Sequence, residues 1–306
     1  GIWDKKENRV IKRMDFELIK QLAKAFGVWW KSGKRIEVAM HGEPTLHHNL
    51  HETIALFREN NPLAQLQVTT NGLIISREGP AYVRGLFDAG LNFLLVDTYK
   101  KKEQIVNVLR SSGQALEGFY DKGSHNPYYY HGPAEKVIIL IDDLGVMSGK
   151  KRQRVILNHA GNCNPDNLLA LGVKQKRLPL IKKCSRPFRE ITVHHDGTVP
   201  LCCIDWKHEF IIGKFPEQSF PDMWKSRIMN TMRNFLFQRQ RNFRPCYKCD
   251  YDGGFRLGLL KWEPTKITDD DVQFVLSHLQ EMKRYEHQNA ANEPFLYQGK
   301  GITDYF

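Results

Sequence analysis

The sequence is poor in the features that mark several classes of protein. Six cysteines in 306 residues are too few for a disulfide scaffold. The uninterrupted apolar runs are short, such as Phe93 to Val96 and Val137 to Ile141, whereas a transmembrane helix needs ~20 residues. The first residues lack the charged, apolar and small-residue order of a signal peptide. Internal repeats and low-complexity tracts are missing as well. These absences point to a protein of the reducing cytoplasm with no membrane partner, where a cysteine cluster binds metal or does chemistry. What is there is globular: 41% hydrophobic and 26% charged residues, in a chain long enough for one large or two modest domains. Lys and Arg number 45 against 34 Asp and Glu, a net charge of +11. The basic residues are dispersed, the densest groups being Lys150 to Arg154, Lys174 to Lys183 and Arg239 to Arg244. A charge of this kind sets solubility and long-range steering, and gives a nucleic-acid partner only weak support.

Residues 14–142 alternate helix and strand patterns. Asp15 is placed to cap a helix with apolar face Leu18, Ile19, Leu22 and Phe26, ended by Gly33. Ile36 to Met40 reads as a strand, and Leu50, Ile54 and Phe57 as a helix. Gln65 to Thr69 is a second strand, Tyr82, Val83, Leu86 and Phe87 a helix ended by Gly90, and Asn92 to Val96 a third strand. Ile105, Val106 and Leu109 mark another helix. A loop rich in Gly, Pro and Tyr (Gly118 to Pro133) precedes the strand Val137 to Ile141. Alternation at this pace predicts βα units on a parallel sheet, with the active loops at the carboxyl ends of the strands.

The texture changes after Asp142. Residues 146–154 read as a basic loop, and Arg154 to Leu157 as a last strand of the first domain. From Cys184 onward, cysteine pairs, turns and short β runs dominate. Ile191 to Val193 and Val199 to Cys202 flank His195-Asp196-Gly197, a hairpin signal. A helix near Pro221 to Phe237 leads to Cys246-Tyr247-Lys248-Cys249. A final helix carries Val272, Val275, Leu276, Leu279 and Met282, with Thr268 as its cap.

The strongest chemical signal is the spacing Cys184, Gly197, Cys202 and then Cys246-x-x-Cys249. A Cys-x-x-Cys turn brings two thiolates to one centre, and two further cysteines complete four-coordinate ligation. Four soft thiolates select zinc or an iron–sulfur cluster, while the bland alternative is a set of unrelated buried thiols. Cys163 has no partner at metal spacing and reads as structural. Adjacent residues on a strand face opposite ways, so Cys203 is expected to pack away from the face that Cys202 presents. The second signal lies at the predicted strand ends: Gly42-Glu43-Pro44-Thr45 after the first, Thr70-Asn71-Gly72 after the second, and Asp97-Thr98 after the third. The glycines let backbone approach a ligand, and the carboxylates suit an amine or hydroxyls. Trp29-Trp30 reads as helix-end core packing, Tyr128 to His131 as core or a substrate lid. His194 and His195 read as exposed turn residues, and Asp205 as a hydrogen-bonding neighbour of the cysteine pair.

Taken together these segments resemble the radical S-adenosylmethionine (SAM) enzymes. Gly42-Glu43-Pro44 resembles their Gly-Gly-Glu-Pro motif, with His41 in place of the first Gly, and Thr70-Asn71-Gly72 resembles the Thr-Asn-Gly after their third strand. Asn158 to Asn162 is similar to the Asn-Arg-Ala-Gly-Asn that precedes a SPASM or Twitch extension. Asp196 to Asp205, Ile212-Gly213, Trp224-Lys225-Ser226 and Cys246-x-x-Cys249 fall where such an extension has its hairpin, its Ile-Gly-Asn, its Trp-x-Ser and its cysteine pair.

The resemblance implies an α/β fold: a partial (β/α)6 barrel and a small Cys-rich β-hairpin and helix domain. Its expected boundaries are residues 1–158 for the barrel, 159–183 for a linker, 184–254 for the auxiliary-cluster domain and 255–306 for a helical extension. It implies SAM bound through Gly42, Glu43, Pro44, Thr70, Asn71 and Asp97, with Glu43 on the SAM amine. It implies one auxiliary [4Fe–4S] cluster on Cys184, Cys202, Cys246 and Cys249, since no cysteine follows Cys249. The expected activity is hydrogen abstraction by a 5′-deoxyadenosyl radical from a peptide or small molecule, with flavodoxin or ferredoxin as reductant. One departure stands out. The Cys-x3-Cys-x2-Cys that holds the family's catalytic cluster is absent from the sequence, as is a strand ahead of Met14-Asp15-Phe16. A parallel sheet lacking that strand has a raw edge, so both are expected in the reading frame upstream of Gly1. The alternative is a non-catalytic zinc or cluster module that binds nucleic acid or an acidic partner.

Overall fold

The computed structural model describes residues 13–29, 34–38, 42–98, 101–118, 135–141, 169, 176–205, 207–251, 253 and 262–289. The described residues fall into two compact units, one within residues 13–154 and the other from residue 169 onward.

In the first unit the α1 helix (Phe16–Trp29) begins where Asp15 Oδ1 accepts the Glu17 and Leu18 N–H groups, at 2.8 and 3.4 Å. It buries Ile19, Leu22 and Ala23. Its neighbour is α2 (Leu50–Asn60), and Gly27 permits the close approach, since a Cβ there would stand 2.2 Å from the Asn60 carbonyl oxygen. Strand β1 (Arg35–Val38) is followed by β2 (Gln65–Thr70), α3 (Leu73–Glu78), α4 (Pro80–Asp88), β3 (Phe93–Asp97), α5 (Lys102–Ser111), β4 (Ala115–Gly118) and β5 (Val137–Ile141). All five strands are parallel, in the order β1-β2-β3-β5-β4. Leu66, Val68, Leu94, Val96, Ile138 and Leu140 form one fully buried face, and Phe93, Leu95, Val137 and Ile139 cluster on the other. Burial on both faces is why these strands read as continuous apolar runs.

Two elements escaped the sequence reading. The α3 helix is only six residues long and starts inside the Asn71-Gly72 turn, so it has no full period to detect. Strand β4 is four residues, and joins the sheet beyond β5 rather than beside β3.

The amino ends of the strands are stitched by Arg58 and Asn92. Arg58 donates to the carbonyls of Gly90, Pro62 and Ala64, and to Asn92 Oδ1. Asn92 also accepts from the Leu66 N–H at 2.8 Å and donates to the Glu135 carbonyl at 2.8 Å. That end is locked by structural hydrogen bonds, which leaves the carboxyl end for ligand-binding loops.

In the second unit α6 (Arg186–Arg189) precedes β6 (Thr198–Pro200) and β7 (Ile211–Lys214), an antiparallel pair. The hairpin expected between 191–193 and 199–202 is therefore corrected: β6 pairs with β7. A tight turn does close at Gly197, whose N–H donates to the His194 carbonyl, but only one rung follows, from the His194 N–H to the Thr198 carbonyl. Thr198 spends its own N–H on Asp196 Oδ1 at 3.0 Å, and Pro200 has none, so that side of β6 has nothing further to donate. The helix expected over Pro221 to Phe237 is two helices, α7 (Phe220–Lys225) and α8 (Arg227–Phe237). Ser226 separates them in extended conformation and caps α8 by accepting the Met229 N–H. Helix α9 (Asp269–Asn289) is capped as expected, with Thr268 and Asp271 exchanging backbone and side-chain bonds. His278 of α9 meets the Ile211 carbonyl at 2.7 Å, and Arg227 lies 4.1 Å from the Phe274 ring. No described helix is long and apolar enough to cross a membrane.

Candidate SAM and metal sites

The carboxyl ends of β1 and β2 meet at Glu43. Gly42, just before it, adopts φ +101°, a left-handed conformation that favours glycine. Pro44 opens a short 3₁₀ turn, and Glu43 caps it. Glu43 Oε1 accepts from the Thr45 N–H at 3.1 Å and from the Thr45 and Thr70 hydroxyls at 2.6 Å each. Its Oε2 accepts the Asn71 N–H at 2.8 Å. Asn71 turns its Oδ1 back to the Leu73 N–H at 2.9 Å, opening α3. Gly72 adopts φ +76°, and a Cβ there would stand 3.0 Å from the side chains of Val96 and Ile105. Thr70 pairs with Val96, so Asp97 stands level with Asn71 at the same end of the sheet. The structure therefore brings Gly42, Glu43, Pro44, Thr70 and Asn71 into one hydrogen-bonded group, with Asp97 beside it on the next strand. Arg13 and His47 fasten the start of α1 to this loop through the Leu46 and Met14 carbonyls. The Glu43 charge also reaches Tyr82, whose hydroxyl is pushed up to about 12, first by burial and then by Glu43 and Glu78.

The thiols assemble in the second unit. Cys246 and Cys249 sit on a 3₁₀ turn (Cys246–Lys248), with the Cys249 N–H on the Cys246 carbonyl at 3.1 Å. Three residues per turn place positions i and i+3 on the same side, which is what a Cys-x-x-Cys ligand pair needs. Cys184 lies ahead of α6, with its neighbours fixed on both sides. Lys183 offers its carbonyl to Arg241 at 2.9 Å, and Ser185 donates its N–H and hydroxyl to the Gly253 carbonyl at 3.0 and 2.7 Å. Cys202 follows β6, and Asp205 closes the loop behind it by accepting the Glu209 and Phe210 N–H groups.

All four thiols are held above the ordinary thiol range. Burial is the main cause for each, and Cys249 reaches about 11. Smaller contributions link the thiols in pairs: Cys203, Cys246 and Cys184 act on Cys202, Cys249 and Cys184 act on Cys246, and Cys184 acts on Cys249, so the four share one region of the unit. Opposing burial, the Arg186 N–H bonds the Cys184 sulfur and the Tyr251 N–H bonds the Cys249 sulfur, both favouring thiolate. Among the described residues no three His, Cys, Asp or Glu side chains are grouped as ligands of a single ion. The donor set itself, four soft sulfurs with backbone N–H groups directed at two of them, fits a thiolate-bound iron–sulfur cluster.

Cys203 behaves differently. Arg186 Nη1 is 2.7 Å from its sulfur, the sulfur is 3.2 Å from Glu190 Oε1, and Arg186 and Glu190 are themselves paired at 2.7 Å. The strand-alternation argument for separating Cys202 from Cys203 does not apply, because β6 ends at Pro200 and both residues lie in the following turns. What distinguishes Cys203 is its engagement with the Arg186–Glu190 pair. His194, expected to be exposed, is buried and stacks on His208, with ring centroids 3.8 Å apart. Trp29 lies beside Phe26, their rings 6.3 Å apart. His41, Trp30, Tyr128 to His131, residues 146–157, Asn158 to Asn162 and Cys163 lie outside the described residues.

Residues 184–250 match the SPASM iron-sulfur cluster-binding domain. The fold is similar to that of solved structures with bound AdoMet. BtrN, in complex with AdoMet and 2-DOIA, is 21% identical, with a TM-score of 0.58 over 81% of this chain and 84% of that one. BtrN in an open conformation is 19% identical, with a TM-score of 0.50 over 78% and 80%. The enzyme anSMEcpe with bound AdoMet is 12% identical, with a TM-score of 0.46 over 96% and 91%. Among curated proteins no sequence match is found. The chain thus carries a SPASM iron–sulfur domain behind a five-stranded parallel sheet that resembles a partial radical SAM barrel.

Proposed function

We propose that this chain is the SAM-binding and auxiliary-cluster part of a radical SAM enzyme that modifies a peptide or a small molecule. The observation that carries the reading is the four-thiol set inside the SPASM match, on the same chain as a parallel sheet of radical SAM type. SAM, when bound and reductively cleaved, supplies the radical that abstracts a hydrogen atom. The chain's own residues bind and orient. Glu43 presents a carboxylate to the SAM amine, its orientation fixed by Thr45, Thr70 and Asn71. Asn71 and Asp97 hold the nucleoside. Cys184, Cys202, Cys246 and Cys249 would hold one auxiliary [4Fe–4S] cluster, and the Arg186 and Tyr251 N–H groups bond the sulfurs of Cys184 and Cys249. BtrN was solved in complex with AdoMet and 2-DOIA, which supports a small molecule among the candidate substrates.

The sequence contains no Cys-x3-Cys-x2-Cys, so it has no ligand set for the cluster that cleaves SAM. A second reading, a non-catalytic cluster or zinc module for nucleic acid or an acidic partner, uses the same thiol set and the +11 charge and needs no SAM site. One experiment separates them. The full reading frame, reconstituted anaerobically with iron and sulfide and given dithionite and SAM, should release 5′-deoxyadenosine. A frame that contains no such triplet and releases none would establish the binding module instead.

A further inference from the structure

Arg241 is buried in the unit that carries the thiols, with 2% of its surface exposed. Its three nitrogens are all spent on backbone carbonyls: Nε on Lys182 at 2.8 Å, Nη1 on Tyr251 at 2.8 Å and Nη2 on Lys183 at 2.9 Å. Two of these carbonyls flank proposed ligands, Lys183 next to Cys184 and Tyr251 two residues after Cys249. Among the described residues no carboxylate forms an ion pair with it, and no aromatic ring lies under it. The other buried arginine of this unit shows the contrast. Arg233 lies 4.1 Å from the Trp224 ring. Arg241 has no such ring.

A buried guanidinium without a counter-charge is strongly unfavourable. Neutral thiols do not compensate it. Four thiolates around an iron–sulfur core or a zinc ion leave a net negative charge, and reduction of a cluster adds one electron more. We propose that Arg241 is the fixed counter-charge of the thiol site: a cation built into the domain that tunes the potential of the bound cluster and makes loading of the site a condition of stability. The proposal rests on the auxiliary-cluster reading above, and does not depend on SAM chemistry. Arg241 is a positioning residue, since its nitrogens hold the backbone beside two ligands while its charge acts through space.

The test is the midpoint potential of the reconstituted cluster in Arg241→Met and Arg241→Lys, followed by electron paramagnetic resonance during a redox titration. Removing the cation disfavours the added electron. Arg241→Met should make reduction about tenfold less favourable, ~59 mV lower for a one-electron couple. Arg241→Lys keeps the charge and should stay near the wild-type potential, even if loss of the carbonyl contacts lowers its iron content. A purely structural residue would change iron content in both variants and the potential in neither. The proposal is overturned by a Met variant with the wild-type potential. If the Met variant does not fold, a Lys variant whose potential drops by ~59 mV overturns it equally. Should the site hold zinc, the reading is affinity against a competing chelator, about tenfold weaker in Arg241→Met, and equal affinity is the contradicting result. Release of 5′-deoxyadenosine, measured separately, reports on the SAM reading and leaves this one untouched.

Discussion

Glu43 Oε2 accepts the backbone N–H of Asn71 at 2.8 Å, so the loop after β1 and the loop after β2 are closed by one carboxylate. The same carboxylate holds both threonine hydroxyls. Every group facing it in this set is a donor. A carboxylate fixed in this way is preorganised for a further cation, and an amide in its place would turn an N–H₂ toward a donor.

Glu43→Gln is therefore expected to act twice. It should weaken SAM binding about tenfold or more, from loss of a charged hydrogen bond worth roughly 1.5–3 kcal/mol. It should also lower the melting temperature, because it disrupts the bridge to Thr70 and Asn71. Thr70→Val separates the two: it removes one bond to Glu43 and leaves the charge. Calorimetric titration with SAM alongside thermal melts will read both effects. Unchanged SAM affinity in the Gln variant would remove Glu43 from the binding site.

Cys184→Ala, Cys202→Ala, Cys246→Ala and Cys249→Ala are each expected to lose iron and the brown absorbance near ~400 nm that such clusters show. Cys203→Ala should keep both, since its sulfur sits against Arg186 and Glu190, and Cys163→Ala should keep both as well. Iron assays after anaerobic reconstitution decide it. A Cys203 variant that loses iron while the Cys202 variant retains it would exchange the two assignments.

Gly253 sits at φ +93°, and a Cβ there would lie 1.9 Å from the Lys183 carbonyl oxygen and 3.3 Å from Arg241 Nη2. Gly253→Ala must push apart the segment that positions Cys184. Its expected cost is about 2–4 kcal/mol, from strain together with broken backbone contacts. The variant should load less iron than wild type at the same protein concentration. Full iron loading and an unchanged melting temperature would show that the segment yields freely.

Asp196 supplies a pH dependence. Partial burial raises its carboxyl, but the Thr198 hydroxyl and N–H outweigh that and hold it below the ordinary range. A depressed acid contributes stability that is present above the unfolded value, ~3.9, and is lost as pH falls through the lower folded value. The carboxylate is exposed to solvent, so the contribution is a few tenths of a kcal/mol. Asp196→Ala should lower the melting temperature slightly at pH 7 and not at pH 2.5. An equal drop at both would assign the effect to something other than this charge.

The parallel sheet was legible because each buried strand is a short apolar run between amphipathic helices, and β5 spans the residues expected of it. The site loops were legible as motifs, because a glycine at positive φ and a carboxylate at a strand end have few alternatives. The bond from Glu43 to Asn71, 28 residues apart, was not, since nothing local encodes it. Helix α3 and strand β4 were too short to carry a period. The partner of β6 was misread because the turn at Asp196-Gly197 is genuine, while the failure of the second rung depends on a side chain capturing an N–H and on Pro200 lacking one. Arg241 gave no sequence signal: an arginine in a basic stretch reads as surface, and only its three carbonyl contacts reveal it as buried.

The most direct test of the account is the metal and sulfide content of the protein purified and reconstituted without oxygen, compared between wild type and Cys246→Ala. The account predicts that the thiols of residues 184–249 hold about four iron and four sulfide per chain, and that the variant lacks them. A wild type that holds one zinc and no sulfide would contradict it.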